Sequence, residues 1–165
     1  MKMNKISPCL WFADQAEQAA QFYTSVFKGG KILGTTRYST EGIEIHGRPA
    51  GSVMTVNFEI AGQTITALNG GPMFTFNEAV SLQIMVQDQA ELDYYWDKLS
   101  EGGDSRAQVW GWLKDKFGLS WQVVPAGWED MLHDAESEGA KRAMAAMFKM
   151  KKLDIAALER AYEGK

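Results

Sequence analysis

The string Asp-Gln-Ala-Glu occurs twice, at Asp14–Glu17 and Asp88–Glu91, and each copy offers two carboxylates three residues apart. Paired carboxylates can serve as general acid and general base when their surroundings hold their pKa values apart. The same spacing also marks a helix start: the Asp accepts from an N–H in the first turn while the Glu reaches back over the cap, both favoured by the helix dipole. The capping reading needs no further residues and takes precedence. Cys9 is the sole cysteine and a candidate nucleophile, but no histidine stands in a matching position, so an inert buried thiol is expected. Asn69-Gly70-Gly71-Pro72 has the composition of a phosphate-cradling loop. Gly and Asn accept positive φ and Pro ends a strand, so the segment reads instead as the turn that links two halves of the chain. The two histidines, His46 and His133, fall in a loop and at the start of a C-terminal tail.

The elements that must position these residues come in duplicate. Ser7–Asp14 aligns without a gap on Ser81–Asp88, Gln21–Gly30 on Tyr94–Gly103 with one residue deleted, and Gly62–Gly71 on Gly118–Gly127. Three correspondences in one order indicate an internal repeat whose two copies share a core. Each copy opens with an alternating strand, followed by an amphipathic helix with Ala16, Ala19, Ala20 and Tyr23, or Leu92, Tyr95, Trp96 and Leu99, and a Gly-Gly stop. Strands are predicted at 32–38, 53–60 and 64–68, with a loop at 41–51. The second copy is trimmed to strands at 107–112 and 119–124 about a turn at 114–116. The predicted class is α+β: two tandem βαβββ modules forming curved, mostly antiparallel sheets around a cavity. One domain at 1–132 is expected, with module one at about 1–73 and module two at about 74–132. A two-helix tail follows at 133–165, with Ala140, Ala143, Met144, Met147 and Met150 on one face. That methionine stripe reads as core packing, with a partner-subunit groove as the alternative.

Composition narrows the partners. The chain has 165 residues, 45% hydrophobic and 23% charged, and a formal charge of −4 with 17 scattered basic residues. No broad basic surface for nucleic acid is expected, nor a signal peptide or membrane span, because the apolar run at 6–12 is short and interrupted. A cytoplasmic protein is expected. Of the six tryptophans, Trp96 and Trp121 alternate toward the core, whereas Trp11 and Trp112 fall on the presumed cavity face beside the amides Gln83 and Gln122. An apolar pocket with a few amides is typical of small-molecule sites.

Several strings carry a resemblance: Phe58–Gly62, Ala67–Pro72, Asp88–Asp93 with Trp96, Gly111–Pro125 and Met150–Leu158. With the tandem modules, they resemble the vicinal oxygen chelate superfamily of glyoxalases, bleomycin-resistance proteins and dioxygenases, in its PhnB-like branch. Members of that branch are often labelled 3-demethylubiquinone 3-methyltransferase. The branch often has Cys-Gly-Trp-Leu where this chain has Trp110-Gly-Trp-Leu113, and no Gly-rich loop of the kind a nucleotide-type methyl donor needs follows a strand. The resemblance implies that metal-binding relatives place ligands at positions corresponding to Ser7, Thr66, Ser81 and Gln122. Two hydroxyls of serine, one of threonine and an amide are poor donors for a divalent cation, so neither metal nor cofactor is expected. The expected function is metal-free binding of a small apolar or aromatic molecule, with Cys9, Trp11, Thr66, Gln83, Trp112 and Gln122 as candidate ligand-binding residues. The alternatives are a glyoxalase- or dioxygenase-like metalloenzyme, a methyltransferase-type enzyme, and a dimeric interaction module. A homodimer is expected, because superfamily members pair modules across subunits.

Overall fold

The computed structural model describes residues 5–165, which divide into two compact units, one ending at Phe76 and the other spanning Asn77–Lys165. In the first unit, β1 (Cys9–Phe12) leads into α1 (Ala16–Val26), and β2 (Lys31–Arg37), β3 (Val53–Ile60) and β4 (Gln63–Asn69) complete a four-stranded sheet of order β1-β4-β3-β2. β1 runs parallel to β4, and the β2–β3 and β3–β4 pairs are antiparallel. The helix covers one face. Its Ala16, Ala19, Ala20, Tyr23 and Val26 are buried, and Tyr23 stacks on Phe58 of β3 with ring centroids 6.0 Å apart. The small residues let the helix axis approach the sheet, where Val56, Phe58, Ile65 and Ala67 supply the opposing core.

The second unit repeats this plan with one strand fewer. β5 (Ser81–Val86), α3 (Gln89–Ser100), β6 (Trp112–Lys114) and β7 (Ser120–Pro125) give the order β5-β7-β6, again with the first and last strands parallel. The register itself reproduces the sequence repeat. Cys9 pairs with Thr66 and Trp11 with Leu68, while the aligned Gln83 pairs with Gln122 and Met85 with Val124. The α+β class and the tandem βαβββ plan are thus present, the second copy having lost its outermost strand.

The strand predicted at 107–112 does not form. Ser105–Ala107 is a 3-10 turn capped by Asp104, and Trp110 (φ 52°) and Gly111 (φ 85°) make a tight left-handed corner bridged between Val109 and Trp112. The reversal expected at 114–116 falls at 115–118. The buried Asp115 closes it by accepting from the Phe117 and Leu119 N–H groups and from Trp121 Nε1 at 2.8, 3.1 and 2.9 Å. The loop predicted at 41–51 contains one short helix, α2 (Ile43–His46), flanked by Gly42 and Gly47 in the left-handed region.

Beyond β7 come α4 (Trp128–Leu132), α5 (Glu138–Met147) and α6 (Ile155–Glu163). Leu153 and Leu158 are fully buried, and the Gln89 side chain donates to Leu153 O and accepts from Ile155 N, fastening this segment to the start of α3. Ala140 and Ala143 of the methionine stripe are buried and Met144, Met147 and Met150 half-buried. No helix among the described residues is long and apolar enough to cross a membrane.

Candidate functional site

The two Asp-Gln-Ala-Glu strings behave differently, and neither builds an acid–base pair. In the second copy Asp88 caps α3 by accepting from Glu91 N at 2.8 Å, and the Glu91 carboxylate reaches back to Gln87 N at 2.7 Å. In the first copy α1 starts one residue later and Asp14 makes no cap bond. Ala16 N donates instead to Asn69 Oδ1 at 2.8 Å, and Asn69 Nδ2 donates to Val53 O at 3.1 Å. The residue aligned with Asn69 is Pro125, whose ring offers no hydrogen-bonding side chain. Asp88 must therefore do in the second unit what Asn69 does in the first.

On the sheet face opposite each helix, both units carry a pocket in the same place. Trp11 and Leu68 line the first and their aligned counterparts Met85 and Val124 the second. The pocket of the second unit, about 230 Å³, is walled by Trp110, Trp112, Trp128 and Met147 around Gln83 and Gln122. Apart from Glu129, its polar groups form one chain: Gln122 Nε2 donates to Ser81 Oγ at 2.8 Å while its Oε1 accepts from Gln83 Nε2 at 3.2 Å. The C-terminal segment shapes this pocket. Trp110 N and Gly111 N donate to Met150 O and Lys151 O, and Trp110 Nε1 donates to Phe148 O at 3.1 Å, which holds the strained Trp110 corner.

The pocket of the first unit is larger and more open, about 860 Å³, with Trp11, Tyr38, His46, Arg48, Leu68 and Met73 among its walls. Trp11 is fixed by donation from Nε1 to Gly71 O at 2.8 Å, and it lies so close over Gly70 that a Cβ there would fall 2.2 Å from the indole. The Gly70 and Gly71 N–H groups donate to Phe12 O and Ala13 O, continuing the β1–β4 ladder, so they are not free to cradle a phosphate.

Of the six candidate residues, Gln83, Trp112 and Gln122 meet in the second pocket and Trp11 stands in the first. Cys9 and Thr66 share the Trp11 face of β1 and β4 but sit beyond the pocket, with Thr66 Oγ1 donating to Asn57 Oδ1 at 2.7 Å. Cys9 is exposed, contrary to the buried thiol expected, because the odd positions of β1 point away from α1. Partial burial still pushes its thiol pKa above the ordinary value. Sequence reasoning missed Tyr38, His46, Arg48, Trp128 and Met147, which come from loops and from outside the repeat. The signal that could have found Trp110 was its place beside Gly111, where a turn brings an indole back over the sheet.

The four positions at which the resemblance implies metal ligands do not fit a metal here. Ser7 Oγ is bonded to Thr64 O at 2.5 Å, Thr66 to Asn57, and Ser81 and Gln122 to each other. Among the described residues no group of three His, Cys, Asp or Glu side chains converges. Hydroxyls and amides already committed to one another supply neither charge nor a strong nitrogen donor.

Comparison with known proteins agrees with this architecture. Residues 4–124 match the family model described as 3-demethylubiquinone-9 3-methyltransferase. A PhnB protein from Bacillus cereus is 32% identical with a TM-score of 0.62, the match covering 74% of this chain and 100% of that one. A protein from Pseudomonas aeruginosa is 20% identical over 74% of this chain and 98% of its own, TM-score 0.57. The fosfomycin resistance protein FosX from Listeria monocytogenes, complexed with Mn(II) and sulfate, is 15% identical, TM-score 0.52, covering 82% and 100%; the last two share the fold. None of the curated proteins matches the chain. The family match together with the fold makes the chain a member of the vicinal oxygen chelate superfamily. Within it, the chain belongs to the PhnB-like family whose model carries the 3-demethylubiquinone-9 3-methyltransferase description. The family match ends at residue 124, so Trp128, Glu129 and Met147 of the second pocket lie outside it.

Proposed function

We propose that the chain binds a small, flat apolar or aromatic molecule without the help of a metal. The observation that carries this reading is the second unit's pocket, where three indoles and Met147 surround the Ser81–Gln122–Gln83 chain. Indole and thioether walls favour an apolar body through area and ring contacts. The amide chain leaves Gln83 Oε1 as an acceptor to orient one polar substituent, the division of labour common in ligand pockets. At about 230 Å³ the space lies just below the ~300–1,000 Å³ usual for such sites and suits one or two fused rings.

Thermal-shift screening with mono- and bicyclic arenes tests the proposal. A ligand at a hundred times its Kd stabilises the native state by roughly 2.7 kcal/mol, a shift of several degrees. Trp112→Ala and Gln122→Leu should reduce that shift. Silence across a broad library refutes the reading. Stoichiometric Zn, Ni, Mn or Fe in purified protein, lost on Gln122→Ala, would put a metalloenzyme in its place.

A further inference from the structure

The first unit's pocket carries a cation in its wall, Arg48, where its counterpart's wall carries the carboxylate of Glu129. Arg48 is half-buried, and its Nη2 donates to Ala13 O, which pins the guanidinium at the pocket edge. Among the described residues its Nε and Nη1 make no hydrogen bond, and no carboxylate lies within ion-pair distance. Asp14 and Glu17 line a separate small cleft on the other side of Arg48, and no Asp or Glu lines the pocket itself.

The rest of the pocket is held in place by neutral bonds. Tyr38 OH donates to Asn69 O at 2.7 Å, and the His46 ring lies against Tyr38 with centroids 4.5 Å apart. His46 Nδ1 accepts from Arg48 N at 3.0 Å, and its Nε2 faces Glu41 O at 3.2 Å. The imidazole thereby fixes the backbone of the residue that bears the charge. Among the described residues Arg48 is the one Lys, Arg, Asp or Glu in the pocket wall, and it stands beside an indole and a phenol locked in their orientations.

We infer that the first unit's pocket takes a planar ligand bearing an oxyanion, a carboxylate or an equivalent group, paired to the Arg48 guanidinium while its ring lies against Trp11 and Tyr38. This rests on the small-molecule reading above and adds a second, charge-selective site to it. The planar fork of guanidinium matches two oxygens at once, and partial burial spares the pair some screening by water.

The test uses two probes of one shape, 2-naphthoate and neutral 2-naphthamide, titrated calorimetrically into the full-length protein. The carboxylate should bind the wild type roughly tenfold more tightly than the amide, the order of a charge-assisted hydrogen bond, and rising salt should narrow the gap. Arg48→Gln should bring the ratio close to one with the amide affinity kept, and Arg48→Lys should retain part of the preference. Gly70→Ala, which displaces Trp11, should weaken both probes. Equal binding of the two probes to the wild type, or a preference that survives Arg48→Gln, overturns this inference alone. Failure of both probes to bind at all overturns it together with the reading beneath it.

Discussion

Replacing Asn69, Asp14 and Asp88 one at a time separates how the two modules begin their helices. Asn69 is 7% exposed and spends both ends of its amide, accepting from Ala16 N at 2.8 Å and donating to Val53 O at 3.1 Å. Asn69→Ala strips a buried donor and a buried acceptor of their partner. Each such group costs about 1–3 kcal/mol, so a total near 3 kcal/mol is expected after partial relaxation. With an m-value of about 1–3 kcal/mol/M in urea, the unfolding midpoint should fall by roughly 1–2 M. Asp88→Ala removes one cap bond at an exposed helix end and should cost about 1 kcal/mol. Asp14→Ala removes no cap bond and should stay within about 0.5 kcal/mol. Circular dichroism measures the midpoints, and amide exchange at Ala16 localises the effect. The reasoning fails if Asp14→Ala costs as much as Asp88→Ala, or if Asn69→Ala is milder than Asp88→Ala.

Two further outcomes follow from the burial of Cys9 and Leu153. Because burial raises the Cys9 thiol pKa, its reactive thiolate is scarce below that raised value and appears as pH climbs through it. Iodoacetamide should label Cys9 more slowly at neutral pH than it labels a free cysteine, with the rate midpoint above the ~8.5 of an unperturbed thiol. Leu153 is 1% exposed and its side chain packs over Gly111. Leu153→Ala should therefore cost about 2–5 kcal/mol in urea unfolding and loosen the Trp110 corner, seen as a red-shifted tryptophan emission.

Much of the fold was legible because it is written twice. Strand-period alternation, alanine-rich helix faces and glycine stops at Gly29 and Gly102 each have a local cause, and the repeat gave every such signal a second witness. What failed to show was decided across the sheet. Nothing near Asp14 announces that Asn69, distant in sequence, already occupies the helix's first free N–H. Nothing near 107–112 announces that this stretch gives up strand pairing so that Trp110 N and Gly111 N can bond to Met150 and Lys151. Cys9 was misplaced for a simpler reason: alternation names two faces, and only the position of the helix tells which is covered. The candidate site was legible where it lay on aligned strands, at Trp11, Gln83 and Gln122. Arg48, Trp128 and Met147 escaped because they approach from segments with no counterpart in the other module.

Two pockets of a duplicated fold can diverge through their walls while keeping a common floor. Aligned positions supply the floor of each pocket, Trp11 and Leu68 in one and Met85 and Val124 in the other, and the register that sets them is identical. The walls come from insertions that differ: residues 41–49 bring Arg48 and His46 to the first, whereas the segment after β7 brings Trp128 and Met147 to the second. The floor is constrained because its residues alternate with the core beneath α1 or α3. A change of one residue in register would turn that core outward. The walls carry no such burden, since residues 41–49 fill no core and Ile45 is 87% exposed. Charge selectivity can then change in one pocket without disturbing the other, and the selectivity of either is set by the segments that the repeat does not share.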